Sequence, residues 1–162
     1  MAEATISYEG GCSCGAVRYR VSAEPMFVHC CHCEDCQRQS GSAFVVNALV
    51  ETSSVELLQG DLANRLMPTP SGAGQRVERC AECQVAVWSH FLAFGEKAGE
   101  AIRFVRVGTL DNPTQISPDI HIFTASKQPW LNLDGDAIVA EAFYSIKDTW
   151  PDASLARFAK LR

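Results

Sequence analysis

Cys30–Cys31–His32–Cys33–Glu34–Asp35–Cys36 places four thiols within seven residues, and the fold and chemistry of the chain turn on how they are read. Two further groups stand on either side of it in the sequence: Cys12–Ser13–Cys14, followed by Gly15, and Cys80–Ala81–Glu82–Cys83. Together they hold all eight cysteines of the 162-residue chain. Buried structural thiols would be scattered rather than gathered into three groups. Disulfides need an oxidising compartment, and no basic, apolar, small-residue leader opens the sequence. The expected setting is the cytoplasm, where thiols stay reduced. Clustered, reduced cysteines point to metal.

Zinc takes tetrahedral sets of thiolates at about 2.3 Å. Two cysteines on one tight turn supply half such a set at little entropic cost. The first and third groups offer one pair each, so Cys12, Cys14, Cys80 and Cys83 make a closed, structural four-thiolate site. That site staples the start of the chain to its middle. A turn of this kind favours glycine after its last cysteine, where the backbone takes a positive φ. Gly15 fits and Gln84 does not, at a cost of roughly 1 kcal/mol if the left-handed conformation is kept. The middle group supplies three thiolates with no fourth local partner needed, the pattern of a catalytic zinc with one open position. Spacing alone allows Cys30, Cys33 and Cys36 as readily as Cys31, Cys33 and Cys36. A redox thiol pair, or a closed site completed by His29, His32 or Cys30, are the other readings of this group.

Composition bounds the rest. Hydrophobic residues make up 47% and charged residues 20%, ordinary values for one globular domain with its own core. The apolar stretches are far too short to span a membrane. A formal net charge of −5 argues against a nucleic-acid partner, and seven metal-bound thiolates would deepen the deficit. Apolar–polar alternation predicts strands over residues 16–21, 44–50, 55–58, 62–67, 85–90, 102–107 and 120–123, separated by Gly, Pro and Asn turn signals. Helices are expected over Glu34–Ser40, with acids in the first turn and Gly41 as a stop, and from Asp152 onward, where Leu155, Phe158 and Leu161 recur. The division expected is a single zinc-binding domain over residues 1–150 and a helical tail over 151–162, which covers a core edge or makes a homodimer contact.

With these residues in hand, the sequence resembles the glutathione-dependent formaldehyde-activating enzyme family, which includes the centromere protein V domain. The likeness is carried by the segment from Gly11 through Cys12 and Cys14 to Tyr19, the segment from Cys31 to Phe44, Cys80–Ala81–Glu82–Cys83 with Val87–Trp88 after it, and the segment from His121 to Trp130. It implies a mostly β fold of zinc-ribbon-like coiled β-sheets, similar to the Mss4 class, with a few short helices. It also implies two zinc ions, one structural on Cys12, Cys14, Cys80 and Cys83 and one catalytic in type on Cys31, Cys33 and Cys36. Cys30 then becomes an extra thiol beside the second site. The family's named activity joins formaldehyde to glutathione in a carbon–sulfur lyase reaction. Two departures stand out: Arg79 and Gln84 flank the third cysteine pair where the family has Phe and Gly, and the loop between Leu66 and Gln75 is short.

The expected chemistry is therefore addition of a small thiol, glutathione in the family, to an aldehyde. The thiol would be held as thiolate at the open zinc position, with Cys36 in the first turn of its helix, where the dipole favours a thiolate. Arg38, Ser40 and Gly41 are the candidate substrate contacts. Arg38 has an alternative partner in Glu34, four residues earlier, and the Ser–Gly–Ser stretch has an alternative role as a cap. His29, His32, His90 and His121 are candidate proton carriers that read first as structural. Trp88 and Trp130 read as core. Two rival functions remain from other classes: a non-enzymatic zinc module for a protein partner, and a thiol redox or metal-buffering protein.

Overall fold

Segment 18–21 shows why the chain forms sheets. Tyr19 and Val21 are buried while Arg18 and Arg20 point toward solvent, the two-residue period expected there. The computed structural model describes residues 6–162, and among these eleven strands and four α-helices follow in order. They are β1 (Tyr8–Gly11), β2 (Arg18–Val21), β3 (Phe27–Cys31), α1 (Glu34–Ser40), β4 (Val45–Glu51), β5 (Val55–Gln59), β6 (Leu62–Met67) and β7 (Gln75–Cys80). After these come β8 (Ala86–Phe91), α2 (Glu96–Ala101), β9 (Ile102–Arg106), β10 (Ile120–Ile122), β11 (Ile138–Val139), α3 (Ile146–Thr149) and α4 (Asp152–Ala159). The protein is mostly β with a few short helices, as the resemblance implies.

Strands β1, β2 and β5 form a small antiparallel sheet. The other eight form one large sheet in the order β11–β10–β3–β4–β9–β8–β7–β6. It is antiparallel except where β10 runs parallel to both β3 and β11. The large sheet is covered on both faces, and β4 records this residue by residue. Ala48 and Val50 enter a core shared with Tyr19, Val21 and Val55 of the small sheet, whereas Leu49 enters a second core with Phe27, Ile102 and Phe104. In the first core the Tyr19 and Trp88 rings meet edge to face at 5.3 Å, and Arg103 lies 4.5 Å above Trp88.

The second core is closed by the C-terminal residues. Phe158 of α4 packs on Trp150 and Phe94, Leu155 and Leu161 add to the cluster, and Ser154 donates to the Met26 carbonyl. The tail thus covers a core edge. Trp130 departs from expectation: it is 69% exposed, in a loop rather than a core. It sits in a polar loop closed by Lys127, whose Nζ donates to the Leu131 and Gln128 carbonyls.

Candidate metal centres and cleft

The turn after β1 and the end of β7 bring the outer cysteines together. The sulfurs of Cys12, Cys14, Cys80 and Cys83 all lie within 4.8 Å of one another, with Cys12–Cys14 at 3.4 Å and Cys14–Cys80 at 3.8 Å. A tetrahedron of thiolates around zinc has edges of about 3.8 Å, so the set fits the ion. Backbone N–H groups support the sulfurs, Val17 donating to Cys12 at 3.2 Å and Cys83 to Cys80 at 3.5 Å. Each pair ends in a hydrogen-bonded turn, Gly15 N–H bonding the Cys12 carbonyl three residues back and Gln84 N–H the Cys80 carbonyl four residues back. Gly15 has φ +79° and Gln84 φ +62°. Gln84 is held there by its own amide, which donates to the Ala81 carbonyl at 2.9 Å. The left-handed strain foreseen from the sequence is therefore present. Gln84→Gly is expected to raise stability by about 0.5–1 kcal/mol, read as a higher thermal midpoint at unchanged metal content.

The middle group is split by the strand that carries it. Side chains alternate along β3, so Phe27, His29 and Cys31 face the second core while Val28 and Cys30 face away. Cys31 then meets Cys33, the cap of α1, and Cys36 in its first turn, the three sulfurs lying within 4.8 Å of one another. Cys31 donates to Cys33 at 3.4 Å, and the Cys36 N–H donates to the same sulfur at 3.4 Å. The thiols of Cys31 and Cys36, and then these backbone donors, hold Cys33 far below its ordinary value, while the shared hydrogen bonds push Cys31 up. The turn is clamped from the segment after β10: Gln37 bonds the carbonyls of His32 and Ser126, and Ser126 Oγ donates to the His32 carbonyl.

The opposite face of β3 carries a second small cluster. Cys30 and His32 meet His121 of β10, whose register partner is Cys30. His32 Nε2 lies 2.9 Å from His121 Nδ1 and 3.6 Å from the Cys30 sulfur. Burial, and then His121, push His32 down to about 4, so this pair is neutral and one ring donates to the other. His121 is half-buried between Ile120 and Ile122, close to the structural role read for it. His90 is also buried and bonds the Gly99 carbonyl.

A cleft of about 640 Å³ opens over Cys31, Cys33 and Cys36. Its walls come from the ends of β8 and β10, the middle of β9, the loop after β6 and Phe143, segments far apart in sequence. His29 lines it as well, its Nε2 2.7 Å from the Tyr144 hydroxyl, which in turn receives Trp150 Nε1–H at 2.6 Å. Arg38, Ser40 and Gly41 stand outside this lining. Arg38 pairs with Glu34 at 3.3 Å on the exposed face of α1. Ser40 Oγ donates to the Cys36 carbonyl, and Gly41, at φ +67°, closes the helix on the Gln37 carbonyl.

Arg106 is a residue that sequence reading missed. It is 7% exposed, pairs with no carboxylate among the described residues, and bonds Asn47 Oδ1 and Gln39 Oε1. Burial pushes its guanidinium down, and Cys36, Cys31 and Cys33 push it back up. The alternating IRFVR run of β9, ending in an arginine between buried residues, was the signal available for it. Arg106→Met is expected to weaken metal binding at the middle site by about 10–100-fold, the scale for partners just outside the ligand shell, as measured by chelator competition.

Fold and site together define a mostly β protein with two cysteine centres able to hold metal, one closed and one at the floor of an open cleft. The chain belongs to the glutathione-dependent formaldehyde-activating enzyme family, whose sequence profile matches residues 7–126. A curated Halomonas elongata protein named for the same family is 24% identical over 131 residues, covering 78% of this chain and 80% of its own length. A solved Rhodobacter sphaeroides protein structure aligns over 68% of this chain and 91% of its own at 20% identity, with a TM-score of 0.49. Among the described residues no helix is long and apolar enough to cross a membrane.

Proposed function

We propose that this chain is a zinc-dependent enzyme of the carbon–sulfur lyase type, acting on a small thiol and its aldehyde adduct. In the family's own terms that adduct is S-hydroxymethylglutathione. Cys12, Cys14, Cys80 and Cys83 would hold a structural ion, and Cys31, Cys33 and Cys36 a reactive one. The observation that carries the reading is the contrast between the centres. Four sulfurs close the first, whereas three converge on the second at the floor of a cleft, and no fourth His, Cys, Asp or Glu joins them among the described residues. A zinc ion bound there would supply a Lewis-acidic position at which a thiol gives up its proton at neutral pH.

The chain's own residues account for the rest. Arg106 offsets the surplus negative charge of three thiolates. In the forward direction the thiol sulfur forms a bond to the aldehyde carbon, the C=O π bond breaks toward oxygen, and that oxygen takes up a proton. His29, which lines the cleft, serves the oxygen in this reading. The Tyr144 hydroxyl, already receiving Trp150 N–H, donates to His29 Nε2, which leaves the Nδ1–H of a neutral ring for a cleft ligand. Burial pushes His29 down to about 3, so it acts as a neutral hydrogen-bond donor. Exchange NMR on zinc-loaded protein with thiol and aldehyde pairs, beginning with glutathione and formaldehyde, tests the proposal. Adduct formation and breakdown faster than the spontaneous exchange is the expected result. Spontaneous rates for every pair would favour the non-enzymatic zinc module.

A further inference from the structure

The cleft over Cys31, Cys33 and Cys36 also carries information about its guest, an inference that rests on reading those cysteines as a metal centre with an open position. Five phenylalanines line it: Phe91, Phe94, Phe104, Phe123 and Phe143. At about 640 Å³ the space is of the size that encloses a drug-like molecule, and formaldehyde alone would leave it nearly empty. Glutathione has the bulk to fill it but brings two carboxylates against a single ammonium, a net negative charge. Among the described residues no lysine or arginine lines the cleft, and the charged residues that do are Glu34 and Asp35. A carboxylate drawn in would lose its water against aromatic walls and meet like charge. Arg38 reaches Glu34 at 3.3 Å, one helical turn away, but does not itself line the cleft.

The backbone points the same way. Phe123 sits at φ +56°, a left-handed conformation that a bulky residue adopts only under constraint. The constraint holds an aromatic ring at the cleft rather than the glycine that the backbone alone would favour. At the rim, Phe143 is 42% exposed and stacks on Tyr144 at 4.9 Å.

We propose that the site takes an arylalkyl thiol, uncharged around its sulfur, in place of glutathione with its two carboxylates. The sulfur goes to the three-cysteine centre and the aromatic group lies among the phenylalanines, stacked in the offset or edge-on manner that ring quadrupoles favour.

Calorimetric titration of the zinc-loaded full chain with phenylmethanethiol, 2-mercaptoethanol and glutathione tests this. Phenylmethanethiol should bind at least about tenfold more tightly than the other two, the scale of burying one aromatic group. Phe123→Gly relieves the backbone while removing the ring, and Phe143→Ala trims the rim without opening the core. Each should weaken phenylmethanethiol by about tenfold while shifting 2-mercaptoethanol less than about twofold. Glutathione binding as tightly as phenylmethanethiol would overturn the assignment and leave the open metal position standing. Tight phenylmethanethiol binding indifferent to both substitutions would also overturn it. Failure of all three thiols to bind would overturn the assignment and the proposed function together.

Discussion

Replacement of Cys80 by serine is expected to leave the chain unfolded under conditions where the parent protein is folded. Cys80 is fully buried at the end of β7, where its sulfur both packs in the first core and meets the Cys14 thiol at 3.8 Å. The four-cysteine centre ties the turn after β1 to the β7–β8 connection across 66 residues of sequence. Structural zinc contributes about 10–16 kcal/mol of apparent binding free energy in small zinc domains. A domain has only about 5–15 kcal/mol of net stability in all. Losing one thiolate therefore removes a share of binding energy comparable with the whole margin. Circular dichroism and the loss of a cooperative thermal transition would show it. Retention of a cooperative transition within a few degrees of the parent would mean the centre does not hold the fold together.

Cys36→Ala should behave in the opposite way, keeping the fold and losing the chemistry. Cys36 is nearly buried in the second core, and trimming its sulfur leaves a cavity smaller than a methyl group or two, with Leu49, Ile102 and Phe104 holding that core together. The expected stability loss is about 1 kcal/mol. With two sulfurs left, the middle centre falls below the three-ligand minimum of a catalytic zinc site. Thiol–aldehyde turnover should drop by about three orders of magnitude, at least the scale on which loss of a single stabilising group acts. Exchange NMR beside a thermal melt separates the two effects. Full turnover in a folded Cys36→Ala protein would remove the middle centre from the mechanism.

Sequence patterning reached the parts of the fold whose own residues carry a local signal, an alternation, a cap or a turn. Glu34–Ser40 is a helix from its cysteine cap to its Gly41 stop, and Leu62–Met67 is a strand at the expected bounds, because local signals decide both. Strand β3 went unread for a physical reason. All five of its residues are buried, since the large sheet is covered on both sides, so no alternation survives to mark it. Its cysteines also drew attention to metal spacing rather than to strand period. Strand β7 is a run of polar residues with only Val77 and the metal-site Cys80 buried, three positions apart, so it is stabilised by its neighbours β6 and β8 rather than by its own pattern.

The candidate site divides in the same way. Cysteine spacing and the family resemblance together name the groups that converge, because a metal centre of this type is assembled from short local turns. The cleft above it was not legible. Phe91, Phe104, Phe123 and Phe143 lie on four different segments and meet only once the large sheet is built. Arg38 and Ser40, close to the cysteines in sequence, turn instead to Glu34 and to the end of their own helix. Nearness along the chain is a poor guide where a strand or helix turns each neighbour to a different face.

The most direct test of the two-centre account is zinc content per chain by elemental analysis, on protein purified under reducing conditions without chelator, for the parent and for Cys36→Ala. Two equivalents in the parent and one in the variant are predicted, with the variant's remaining zinc resistant to the chelator that strips the middle site. A parent protein that is folded with all eight thiols free and holds no zinc would contradict the account outright, and a parent with one equivalent that Cys36→Ala leaves unchanged would contradict the reactive centre.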